Sequence, residues 1–273
     1  MKLTYNRTLF LLAIVICCYA ACKKSPLKPV TTTTTATDYK ALSSNIAGQF
    51  YKSITGQYGG TDVRQGITLS SKFNFAAHKG LTLNSIAPLC GFVVDTTYNY
   101  TTGTDAIKDT VKTFFGNFHF TYTCDANVVN GYIVRDSLVN TQIHQLYVGD
   151  TFMVSQNYTV KALDQTYKLV SMDGSIRTLI KTANGEALTS KSLASTYILS
   201  GLRVNFTSGT ADITAGIATF HTTSVETAVF SNVNNIVNYD GTIEFLGNHK
   251  ARLTINPGMV YMVDLITGVV TPV

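Results

Sequence analysis

The chain has 273 residues, of which 45% are hydrophobic and 14% charged, and its formal net charge is +5. Its lysines and arginines are scattered and their excess is small, so nothing in it reads as a nucleic-acid surface. Few charges among many threonines, glycines and asparagines suit β-strands with one wet face.

The first residues carry an address. Lys2 and Arg7 make a basic start, residues 9–16 are continuously apolar, and Ala20 and Ala21 precede Cys22. An apolar run this short is the core of a signal peptide; a membrane-spanning helix needs about 20 apolar residues. The small residues let a peptidase hold the chain against its catalytic groups. Residues 1–21 are therefore expected to leave as a signal peptide. The segment resembles the lipobox of bacterial lipoproteins, which implies lipidation at the thiol and the new amine of Cys22. Tyr19 departs from that pattern, which usually has an aliphatic residue there. Cys17 and Cys18 are poorer acceptors, because Ile16 and Cys17 would precede the cut. The competing reading is an ordinary secretory signal. Loss of Lys2 and Arg7 with the leader takes the formal charge from +5 to +3.

Residues 22–37 read as a tether. They hold Pro26, Pro29 and five consecutive threonines, with no apolar period. Such a stretch buries too little surface to offset its ordering entropy. At about 3 Å per residue it reaches roughly 40 Å, enough to hold a folded body off a membrane.

Two cysteines remain after the leader and Cys22 are set aside, Cys90 and Cys124. Cys90 shares a strand face with Phe92 and Val94, and Cys124 shares one with Phe118, Phe120 and Tyr122. An oxidising compartment permits a disulfide between them, which would stabilise the fold by about 3–4 kcal/mol. Two separate buried thiols are the alternative.

One helix is expected over residues 38–55, where Tyr39, Leu42, Ile46, Phe50 and Ile54 recur at spacings of three and four. Thr37 is its candidate cap and Gly59-Gly60 its stop, which gives a helical region of residues 38–60. The period then becomes two. Strands are expected at residues 81–83, 90–94, 118–124, 131–134, 152–160, 167–170, 197–206, 218–221 and 242–246. In the run 197–206, Ile198, Leu202, Val204 and Phe206 are expected on one face. Near the C-terminus, Ala251, Leu253 and Ile255 alternate with Arg252, Thr254 and Asn256, between turns at Gly247-Asn248 and Asn256-Pro257-Gly258. Residues 61–273 thus read as an all-β domain, an antiparallel meander forming a sandwich, open barrel or folded-over sheet.

At this point the chain resembles a family. The Cys22-Lys23-Lys24 start, the segment Cys90-Gly91-Phe92-Val93-Val94-Asp95-Thr96 before an aromatic strand ending in Cys124, and the closing Asp240-Gly241-Thr242-Ile243-Glu244-Phe245, Ala251-Arg252-Leu253-Thr254-Ile255 and Val263-Asp264-Leu265 segments are similar to β-rich outer-membrane lipoproteins of Bacteroidota. The resemblance implies a lipid-anchored outer-membrane protein and supplies no activity. Lys23-Lys24-Ser25 stands where surface-exported members carry acidic residues, so the periplasmic face is favoured over the cell surface. Thr96, Thr110 and Ser137 each follow an aspartate and match that phylum's O-glycosylation sequon, in a chain where threonine makes chance matches common.

No reaction centre is legible. His78, His119, His144, His221 and His249 are far apart without metal-ligand spacing, and no nucleophile elbow, phosphate loop or dinucleotide turn is present. The expectation is a non-enzymatic protein without cofactor or metal. Three functions fit it. The first is a membrane-anchored lipoprotein presenting a β-sheet surface to an envelope protein. The second is a binder of lipid or another apolar ligand within a curved sheet, suggested by Val154, Tyr158 and Val160 opposite Met153. The third is a glycan-binding or adhesion module, disfavoured by the lack of tryptophan.

Overall fold

Among the described residues a single antiparallel sheet of eleven strands, taken strictly in chain order, wraps one helix. The computed structural model describes residues 36–58, 63, 90–105, 110–144, 148–184, 189–206, 211–228 and 234–273. The expected leader, Cys22, the tether up to residue 35, the strand at 81–83, His78 and Gly59-Gly60 lie outside them. Residues 36–273 form one compact unit.

The helix, α1, spans Ala36–Ile54. It begins before Thr37, which falls inside the helix rather than at its cap. Its end is also earlier than Gly59-Gly60 suggests. Gly56 takes φ +65°, its N–H bonds the Ser53 carbonyl, and the Gln57 N–H bonds the Lys52 carbonyl. This pair of bonds closes a helix around a left-handed residue, a conformation that glycine adopts without steric cost. One face of α1 carries Ile46, Ala47, Phe50 and Ile54, all at 0% exposure.

The strands are β1 (Val93–Asp105), β2 (Thr110–Asp125), β3 (Val128–His144), β4 (Val148–Ala162), β5 (Leu169–Asn184) and β6 (Thr189–Asn205). They continue with β7 (Asp212–Ala228), β8 (Asn234–Gly247), β9 (Lys250–Ile255), β10 (Met259–Asp264) and β11 (Val270–Pro272). The first and last strands are the two edges, so the sheet does not close into a barrel. Among the described residues there is one sheet, not two, and the helix fills its concave side where a sandwich would place a second sheet. The tight turns follow their chemistry. Ala126-Asn127 and Asn248-His249 both sit at positive φ, matching the right-handed twist of the flanking strands.

Alternation along the strands puts Phe118, Phe120, Tyr132, Val134, Tyr158, Val160, Tyr197, Leu253 and Ile255 inward, as their period of two predicts. One expectation fails. Ile198 is 52% exposed, while Tyr197, Leu199, Leu202 and Val204 are buried. Gly201 at φ +58° opens a bulge between Ser200 and Arg203, and the extra residue moves the buried set from odd to even positions. Gly216 on β7 lies against it, where an added Cβ would stand 2.6 Å from the Gly201 carbonyl oxygen. Phe206 lies just past the end of β6, and Tyr167 belongs to the preceding turn rather than to β5. Bulges on neighbouring strands bend the sheet around the helix.

Candidate functional site

Cys90 and Cys124 form a disulfide, with their Cα atoms 5.7 Å apart. It pins the entry to edge strand β1 against the end of β2. Of the glycosylation candidates, Ser137 is exposed on the convex face of β3. Thr96 is half-buried on the face of β1 that Val94 turns to the core. Thr110 opens β2. These three do not converge on a common site.

The histidines are less isolated than their spacing implies. His221 Nδ1 lies 2.7 Å from Asp240, His119 Nδ1 lies 3.8 Å from Asp95, and His249 Nδ1 lies 3.6 Å from Asp212. The first two pairs are direct cross-strand neighbours. Only strand register reveals them; residues 19 or 24 apart carry no local signal. Among the described residues no group of three potential ligands gathers for a metal.

A polar layer joins the helix to the sheet. Thr178 donates to Gln49 Oε1 at 2.8 Å, Tyr197 to the Ile46 carbonyl at 2.9 Å, and Gln156 to the Ser53 carbonyl at 2.8 Å. Thr222 donates to Ser195 in the same layer. Burial holds the Tyr197 phenol well above its ordinary pKa, so it stays a donor. Sequence reading passed over this layer, because each polar residue interrupts an apolar strand face only once.

Beside the helix lies a cavity of about 530 Å³. Ser44, Asn45, Gly48, Gln49 and Lys52 form its helical wall, and Tyr58, Phe152 and Ile180 close one end. Tyr58 stacks on Phe152 with ring centroids 5.1 Å apart, and desolvation pushes its hydroxyl up to about 12. The other end is made by Ala211, His249 and the turn from Leu265 to Gly268, which Ser44 holds by donating to the Gly268 carbonyl.

The opposite, convex face carries a second feature. Phe115, Val139, Met153, Leu179 and Ala194 are successive register partners across five neighbouring strands. Phe115 is 56% exposed and Met153 40%. At about 4.8 Å between strands the row runs roughly 19 Å. On one side lie Asn117, Ser137, Ser155, Arg177 and Thr196, and on the other Thr113, Thr141, Thr151, Lys181 and Ser192. Met153 thus belongs to an outward row, separate from Val154, Tyr158 and Val160 in the core.

Comparison of the chain with protein-family models, curated proteins and solved structures finds no match.

Proposed function

We propose that this is a non-enzymatic lipoprotein, held by a lipid on Cys22 to the outer membrane on its periplasmic side, which presents its convex sheet face to an envelope protein. The observation that carries the reading is the apolar row from Phe115 to Ala194. Strands exposed on one face normally alternate apolar inward and polar outward. Here one crosswise row breaks the alternation on five adjacent strands, and polar rows border it on both sides. An apolar centre with a polar rim is the anatomy of a protein interface. The leader, the Lys23-Lys24 start and the threonine-rich tether support the anchoring half of the reading.

The test uses protein purified with its lipid from native membranes. Intact mass should give a chain beginning at a diacylated or triacylated Cys22. A photo-crosslinker at Met153 should capture one membrane protein, and Phe115→Glu should abolish that capture without lowering the unfolding temperature. An unlipidated mature N-terminus defeats the anchoring reading. Capture unchanged by Phe115→Glu defeats the interface.

A further inference from the structure

We propose that the cavity beside α1 is a binding site for an anionic amphiphile, with its apolar body against Tyr58, Phe152 and Ile180 and its acidic group at Lys52. The concave side of the sheet beneath the helix is filled by Ile46, Phe50, Tyr197 and Phe245, with Phe50 5.4 Å and 5.2 Å from the two rings. A ligand therefore has its room along the flank of the helix, not under it. The volume, about 530 Å³, falls in the range of small-molecule sites.

Gly48 is the second observation. It sits in the middle of α1 on the cavity wall, and a Cβ built there meets nothing within 4 Å. Glycine is the poorest helix former after proline, and packing among the described residues does not ask for it. Its missing side chain does keep the trough open midway between the two ends. Any larger residue would point into that space.

The lining decides the ligand class. Tyr58, Phe152 and Ile180 give an apolar end, while Asn45, Gln49, Gln57, Ser44 and Thr267 provide polar groups along the wall. Gln49 is 4% exposed and its Oε1 is taken by Thr178, which leaves its amide N–H groups for the cavity. Among the described lining residues Lys52 and His249 are the basic side chains, and none is a carboxylate. His249 already has a carboxylate against it, Asp212 at 3.6 Å. Lys52, exposed at the rim, has no such partner among the described residues and is the place for an acidic head.

Calorimetry on the folded chain with dodecanoate, and with 1-dodecanol as its uncharged counterpart, tests this site independently of the convex face. Dodecanoate should bind with a stoichiometry of one. Gly48→Leu should weaken binding at least tenfold, and Gly48→Ala should weaken it less. Lys52→Gln, an exposed change that leaves folding intact, should weaken dodecanoate about tenfold and dodecanol hardly at all. Absence of saturable binding overturns the site, and so does equal loss for acid and alcohol in Lys52→Gln or unchanged affinity in a folded Gly48→Leu.

Discussion

Gln156 of β4 donates its amide to the main-chain carbonyl of Ser53, 103 residues earlier, at 2.8 Å in a buried setting. Ser53 lies in the last turn of α1, where carbonyls lack partners within the helix. The sheet thus supplies what the helix end needs. With Thr178 on Gln49 and Tyr197 on the Ile46 carbonyl, three strands hold one helix at a set depth and rotation. Gln156→Leu should cost about 0.5–1.5 kcal/mol, the net worth of one buried hydrogen bond, because the volume is kept and the Gly56 N–H still reaches the Ser53 carbonyl. Urea unfolding followed by circular dichroism measures it.

Gly48→Ala should stabilise the chain by about 0.5–1 kcal/mol, since α1 gains a better helix former in open space. A lower unfolding midpoint would show that something does pack against the Gly48 Cα.

Reduction of Cys90–Cys124 reopens a loop with a sequence separation of 34. In the chain-entropy model that loop is worth about 4 kcal/mol. Cys90→Ser with Cys124→Ser should lower the urea midpoint to match the reduced wild type. A midpoint that ignores reductant would show that the bridge constrains nothing.

Asp264 accepts hydrogen bonds from the Thr267 N–H and hydroxyl and from the Ile266 N–H, and His249 adds charge, so its carboxyl lies below the usual range. Asp164 is lowered as well: desolvation, the largest single effect, raises it, and the Thr166 hydroxyl and three backbone N–H groups together outweigh that. A folded pKa below the unfolded one gives stability that is present above pH about 4 and is lost as pH falls through the folded values. Thermal midpoints should drop on acidification below about pH 4, and the double change Asp164→Asn, Asp264→Asn should flatten that drop.

Phe115→Ser and Met153→Ser should each change stability by no more than about 0.5 kcal/mol, because both side chains point to solvent. Differential scanning calorimetry checks this, and a large loss would mean that the row is packed rather than presented.

Much of the architecture was legible in local chemistry. The helical period of Tyr39, Leu42, Ile46, Phe50 and Ile54, the alternation in Ala251, Leu253 and Ile255, and the face shared by Cys90, Phe92 and Val94 are one-dimensional patterns that burial follows directly. They pointed to an antiparallel meander with one helix, and they left Cys90 and Cys124 as either a disulfide or two separate thiols, which the structure joins. The bulge at Gly201 was not legible, because an inserted residue looks like continued alternation until its partner strand is known.

The two candidate sites lie beyond sequence reading for the same reason. Phe115, Val139, Met153, Leu179 and Ala194 become neighbours only through the register of four hairpins. The trough needs α1 docked against β4, β5 and the last turn, with Gly48 on its wall. By itself the sequence determined which residues turn inward along uninterrupted runs of strand and helix, since period and polarity are local properties, but not across the bulge at Gly201. The tertiary structure alone decided which of them meet, since register and helix docking are set by packing across more than a hundred residues of chain.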